Sequence, residues 1–200
     1  MRIIHSEAAF DAAASVAALG MFDGVHIGHQ ALIRRAVALA RAMDAACVVC
    51  TFDRHPLSVL CPERAPKPLL PLEQNLEKFE QLGADYALVQ SFTPEYSVTP
   101  PETFLAALAA GLLVRAVVAG ENYTFGAGGR GDAALIRRMA PRLGYRAEIV
   151  PPVMDGDVMC SSTWIRRLLA RGELEHARRL MEIGEPQGDA GEDVHGRNRS

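Results

Sequence analysis

Residues 16–30, Val-Ala-Ala-Leu-Gly-Met-Phe-Asp-Gly-Val-His-Ile-Gly-His-Gln, constrain this chain more than any other stretch. An uncharged, mostly apolar run from Ala12 to Leu19 reads as a buried strand and breaks at Gly20. The turn-like Phe22-Asp23-Gly24 follows, and His26-Ile27-Gly28-His29 then opens a helical pattern. Its apolar face carries Leu32, Ile33, Ala36, Val37 and Ala40. Strand, glycine turn and helix start make a natural anion site, because free backbone N–H groups and the positive end of the helix dipole converge there. Two imidazoles three residues apart share a helix face and can donate to one anion. Gly28 between them leaves room for a ligand to approach the backbone.

Two hundred residues suit one α/β domain with a sizeable core. A net charge of −3 with no basic block argues against nucleic acid or an anionic membrane as a partner. Charges within Met1 to Phe10 exclude a signal peptide there, and no apolar run reaches the length of a transmembrane helix. The expected location is the cytoplasm. Cys47, Cys50, Cys61 and Cys160 form no metal framework, and no metal ligand is assigned. Cys47-Val-Val-Cys50 has redox-motif spacing but lies in a predicted strand, where residues three apart face opposite sides.

Further strands are expected at Ala46–Phe52, Ala84–Val89, Leu113–Ala119 and Tyr145–Pro151. Helices are expected at Leu72–Leu82, Pro101–Ala110, from a cap at Asp132 to Arg142, at Ser162–Arg171 and at Glu173–Met181. The proline-rich segment 60–72 reads as a loop, and the charges from Glu73 to Glu80 as a solvated helix face. Alternation of apolar strands with helices predicts an α/β fold: a parallel sheet of about five strands with helices on both faces. Ligands on such sheets bind beyond the carboxyl ends of the strands. Four strand ends carry the unusual residues: His26/His29, Asp53/His55, Asn122/Phe125 and Ser162/Arg166. One shared site is the economical reading.

Taken singly, Asp53-Arg54-His55-Pro56 could be only a turn, and Ser162 or Thr163 only a helix cap. Asn122 offers both a donor and an acceptor, and Phe125 a flat apolar face. Arg166 offers a planar fork suited to phosphate oxygens.

The string Gly-Met-Phe-Asp-Gly-Val-His-Ile-Gly-His-Gln resembles the His-x-Gly-His signature of the nucleotidylyltransferase superfamily. More specifically it resembles the FMN adenylyltransferase module of bacterial FAD synthetase. Gly120-Glu-Asn-Tyr-Thr-Phe-Gly126 and Cys160-Ser-Ser-Thr-Trp-Ile-Arg166 are similar to that family's second and third motifs, so the resemblance covers roughly residues 16–181. Arg54 stands where the family usually has Pro, Cys160 where it has Ile or Val, and Trp164 where Arg is frequent. The resemblance implies a Rossmann-like nucleotidylyltransferase fold and the reaction of FMN with ATP, aided by Mg²⁺, to give FAD and pyrophosphate. It implies catalytic roles for His26, His29, Asn122 and Arg166. It implies ATP contacts from Gly20, Phe22, Asp23, Gly28, Ser162 and Thr163. FMN contacts are implied for Asp53, His55, Pro56, Leu60 (on the isoalloxazine) and Phe125.

Two alternatives keep the same motifs. One is a nucleotidylyltransferase with another phosphorylated acceptor; the other is a degenerate module that binds flavin or nucleotide without turnover. Residues 1–184 are expected to form the adenylyltransferase domain. Residues 185–200 are expected to be a mobile tail that faintly resembles the opening of a riboflavin kinase module, so no kinase activity is expected. Self-association is not determined by the sequence.

Overall fold

The computed structural model describes residues 1–184, and the expectation for the tail lies outside the described residues. In chain order the elements are β1 (Arg2–Ile4), β2 (Ser15–Leu19), α1 (Ile27–Ala42), β3 (Ala46–Phe52), α2 (Leu57–Leu60), α3 (Leu72–Gln81) and β4 (Tyr86–Gln90). Then come α4 (Pro94–Ser97), α5 (Pro101–Gly111), β5 (Val114–Gly120), α6 (Ala133–Leu143), β6 (Arg146–Val150), β7 (Met154–Asp155), β8 (Val158–Met159), α7 (Ser162–Ala170) and α8 (Leu174–Met181).

The main sheet runs β1-β4-β3-β2-β5-β6, and every neighbouring pair is parallel. It has six strands rather than about five. The addition is β1, whose three residues are too few to show a period and which forms by pairing with β4 more than eighty residues away. From β2 the chain first winds outward through β3 to β4, then returns to β5 on the other flank. The strand order therefore reverses between β2 and β5, and the cleft beyond their carboxyl ends is where such sheets bind ligands.

Alternate strand residues feed two cores, one on each face. Val16, Ala18, Val49 and Val118 pack beneath α1 and α3 around Ile33, Ala36 and Phe79. Ala17, Leu19, Val48 and Val117 pack on α5 and α6 around Leu105, Leu108 and Ile136. Cys47 belongs to the first core and Cys50 to the second, so the two thiols diverge as the strand period requires. Burial pushes Cys47 up to about 12 and raises Cys50 as well, which leaves both as inert apolar filling. Asp132 caps α6 by accepting from the Leu135 N–H at 2.7 Å, and Gly144 (φ 73°) ends that helix in the left-handed region.

A smaller cluster of Cys160, Ile165, Leu168, Ala177 and Leu180 joins α7 and α8 to the beginning of α1 through Ile27. Strands β7 and β8 form a separate antiparallel hairpin, outside the main sheet. Among the described residues no helix is long and apolar enough to cross a membrane.

Candidate active site

The turn after β2 is held in an uncommon backbone shape. Phe22 (φ 50°) and Val25 (φ 42°) lie in the left-handed region, which a β-branched residue such as Val enters only when its surroundings enforce it. Here they do. Gly24 donates to Asn75 Oδ1 at 3.1 Å, and Thr51 Oγ1 donates to the Met21 carbonyl at 3.0 Å. The buried Gln30 donates to the carbonyls of Val25 (3.0 Å) and Glu182 (2.9 Å). Phe22 is fully buried, with its ring edge-on to His29 at 5.3 Å and to Phe79 at 5.5 Å.

On this base the rings of His26 and His29 stack, with centroids 3.7 Å apart and planes 22° from parallel. Burial lowers His26 to about 4, and burial with the nearby His26 holds His29 well below its ordinary value. Both imidazoles are therefore neutral near pH 7. The Nδ1 atom of each is enclosed without a partner. An unpaired buried acceptor is tolerated better than an unpaired buried N–H, so the proton belongs on Nε2. Each ring then presents one Nε2–H donor outward, at the first turn of α1.

Those donors face a cleft of about 300 Å³ at the strand-order reversal, bounded by Gly20, Gly28, Asn122, Pro151, Met159 and Ser162. Asn122 donates from Nδ2 to Met159 Sδ at 3.2 Å, which ties the β5 loop to the β7–β8 hairpin. A second, narrower cleft of about 100 Å³ lies on the other side of Met21 and Asp23, bounded by Asp53, Arg54, His55, Pro66 and Leu70. Met21 borders both. In the second cleft partial burial pushes Asp53 up, but hydrogen bonds from Arg54, the Phe92 N–H and Ser91 outweigh it and hold the carboxyl below the usual range. His55 accepts at Nδ1 from the Leu57 N–H (3.1 Å). Its pKa is lowered by burial and by the charge of Arg166, against a smaller opposing effect of Asp23.

Asp23 joins three elements. One carboxylate oxygen accepts from the Leu69 N–H at 2.9 Å, the other from the Arg166 guanidinium, and its carbonyl accepts from Ser162 Oγ at 3.0 Å. Arg166 also donates from Nε to the Lys67 carbonyl at 3.0 Å, so it stands between the proline-rich loop and the turn.

The structure thus gathers His26, His29, Gly20, Gly28, Asn122 and Ser162 at one cleft and Asp53 and His55 at the other. Several expectations need correction. Asp23, expected at ATP, borders only the second cleft, and Arg166 borders neither because its guanidinium is paired with Asp23. Phe125 borders neither cleft: it is 7 % exposed and packs against Phe104 and Tyr123 inside the core, because Gly131 lies flat against its ring. Thr163 points to solvent, and the α7 cap is Ser161, whose Oγ accepts from the Trp164 N–H at 3.1 Å. Leu60 is 56 % exposed and, like Pro56, does not border the second cleft. Phe22 touches the first cleft but serves mainly as the buried support of His29. Sequence reasoning missed the bracing role of Gln30, although it closes the signature string. It also missed the 154–159 hairpin, whose strands are too short to carry a period.

A sequence profile described as FAD synthetase matches residues 9–164. The chain belongs to the FAD synthetase family. A bifunctional riboflavin kinase/FMN adenylyltransferase of Listeria monocytogenes is 39 % identical over 185 residues, 92 % of this chain and 58 % of the relative. The relative of the same description from Bacillus subtilis is 36 % identical, covering 94 % of this chain and 58 % of its own length. A second Listeria protein, described as FAD synthetase, is 28 % identical over 86 % of this chain and 70 % of its own. The chain thus spans somewhat under two thirds of the bifunctional relatives. Among solved structures, one described as a macrolide-efflux protein of Streptococcus pneumoniae superposes with a TM-score of 0.78 at 28 % identity, covering 90 % of this chain and 59 % of the other. A pantoate-β-alanine ligase of Francisella tularensis superposes at 0.58 with 16 % identity, covering 92 % and 78 %, which marks a shared fold alone.

Proposed function

We propose that residues 1–184 form an FMN adenylyltransferase that transfers AMP from ATP to FMN, giving FAD and pyrophosphate. The observation that carries this reading is the pair of neutral, stacked imidazoles with enclosed Nδ1 atoms at the start of α1. They sit at the strand-order reversal of a family whose relatives are described by this activity.

The cleft of about 300 Å³ takes ATP, with its triphosphate over the first turn of α1. Nε2–H groups of His26 and His29 donate to phosphate oxygens. Being neutral, they stabilise the extra charge of the transition state by aimed dipoles rather than by titrating. Gly28 lets the phosphates approach the backbone, and Asn122 orients the nucleotide. FMN enters from the second cleft, framed by Asp53 and His55. Its phosphate meets the α-phosphorus beside Met21, the residue common to both clefts. The phosphate oxygen attacks in line and pyrophosphate leaves; the nucleophile is already ionised, so no base is required. Ser162 offers a hydroxyl on the side of the departing pyrophosphate, while Arg166, paired with Asp23, holds the turn between the two clefts.

Among the described residues no group of three His, Cys, Asp or Glu forms a cation cage. The coordination habits of Mg²⁺ would place it mostly on phosphate oxygens and water, where it would screen the triphosphate charge; no protein ligand is assigned to it. The protein acts in the cytoplasm on small molecules.

The test is incubation of pure protein with FMN, ATP and Mg²⁺, with chromatographic separation of FMN and FAD. FAD and pyrophosphate in equal amounts are expected. Quenched flavin fluorescence without FAD would move the reading to a binding module without turnover, and neither signal would point to another acceptor.

A further inference from the structure

The β7–β8 hairpin contributes Met159 to the wall of the first cleft, yet it has little to hold it there. It pairs only Met154 with Met159 and Asp155 with Val158, and an isolated two-stranded hairpin is marginal in water. Met154, Val158 and Met159 are exposed, so the hairpin's own side chains reach no core; only its base is fixed, where the N–H of buried Cys160 donates to the Val153 carbonyl at 2.9 Å. Beyond that base its firm attachment is one carboxylate. Asp155 accepts from Trp164 Nε1 on α7 at 2.7 Å and lies 3.0 Å from His176 Nε2 on α8. Trp164 is in turn sandwiched into the cluster under α7, with the Arg171 guanidinium 5.7 Å above its ring. Glu173, 3.6 Å from the other nitrogen of His176, holds that imidazole from the opposite side.

We propose that Asp155 is a positioning residue for nucleotide binding: through Trp164 and His176 it ties the hairpin to α7 and α8 and so fixes the Met159 wall of the nucleotide cleft. This rests on the cleft being the ATP site. It also assigns a task to Trp164, the chain's single tryptophan. The indole does not narrow the cleft; it spends its N–H on the hairpin outside it. The contact from Asn122 to Met159 carries the same constraint to the β5 loop, so the hairpin, Asn122 and α7 move as one wall.

The test compares Asp155→Ala, Asp155→Asn and Trp164→Phe with the wild-type chain. Steady-state kinetics are measured for each substrate and ATP affinity by calorimetry. Loss of a charge-assisted anchor predicts a rise of about tenfold in the ATP dissociation constant and KM for Asp155→Ala. The KM for FMN and kcat stay within about twofold, because the attacking and leaving groups keep their donors. Asp155→Asn restores most of the affinity, since its amide oxygen still accepts from the indole. Trp164→Phe keeps an aromatic ring in the cluster but loses the donor and the second ring of the indole; it falls between the two and stands in if Asp155→Ala fails to fold. Unchanged ATP affinity in both Asp155→Ala and Trp164→Phe overturns the proposal, as does an equal rise in the KM for FMN, or an Asn variant no better than Ala. A wild-type chain that binds no ATP overturns the ATP reading of the cleft and this inference with it, an outcome distinct from normal wild-type binding that the variants leave untouched.

Discussion

Gly20→Ala should disable the site through Phe22, the ring that supports His29. A Cβ at Gly20 would lie 2.8 Å from Cζ and 3.0 Å from both Cε atoms of Phe22, closer than carbon atoms can approach. The ring has no free space to retreat into, because it is fully buried between Phe79 and His29. Overpacking of this kind costs about 1–3 kcal/mol, and the stiffer backbone of Ala returns about 0.5–1 kcal/mol. The net loss is up to about 2.5 kcal/mol, read as a fall of up to roughly 10 °C in Tm for a domain of this size. Function should suffer more than stability. A ring pushed toward His29 displaces the imidazole stack, and misplacement by about 1 Å can lower kcat/KM by roughly a hundredfold. Thermal melts and the FAD-forming assay read the two effects separately. Phe22→Leu in the same chain should make room for the new methyl, so the double variant should be less destabilised than the two single losses combined. A Gly20→Ala chain with wild-type Tm and turnover would refute the claim that Phe22 supports the catalytic stack.

His29→Ala should lower kcat by about 10²–10³ through loss of one aimed donor, with the fold retained by circular dichroism. The two histidines also make stability depend on pH. His26 is held at about 4 in the native state and takes its proton near 6.5 when unfolded. The unfolded chain thus binds more protons below pH 6.5, and stability falls from there down to about pH 4, by about 3 kcal/mol from His26 alone. Urea midpoints measured from pH 7.5 to 4.5 should therefore drop more steeply for the wild type than for His26→Asn. Phe125→Leu should lower Tm by a few degrees, as a core truncation does, and leave the KM for FMN within about twofold; a selective rise in that KM would return Phe125 to the flavin site.

The parts legible in the sequence were those decided by local physics. Strand β3 begins and ends at Ala46 and Phe52 as its apolar run does, and the cap at Asp132 follows from a side-chain preference that needs no distant partner. The strand–turn–helix at residues 16–30 was legible for the same reason, since an anion site at a helix start is a short-range object. What the sequence could not disclose was direction. Phe125 sits in the loop after β5 and Leu60 ends the short helix α2, each with aromatic or apolar character. Whether such a ring faces a ligand or the core depends on Gly131, which lies against it through a two-residue bridge closed only in three dimensions. Likewise Ser161, Ser162 and Thr163 are equivalent as letters. The entry angle of α7 alone makes the first a cap, turns the second onto the Asp23 carbonyl and leaves the third in solvent.

Asp23 illustrates why a motif residue can matter without touching the reacting atoms. Its letter marks a turn, and its geometry makes it the common partner of the proline-rich loop, α7 and Arg166. Met21 borders both clefts and Asp23 the second, so a shift of this turn reaches both walls. A reaction that joins two phosphates needs both substrates referred to one rigid frame, and the tightly hydrogen-bonded, positive-φ turn between Gly20 and His26 provides it. On the proposed function, the density of backbone constraint there has a use: strain in the turn would be kept because it fixes the distance between two separately bound molecules.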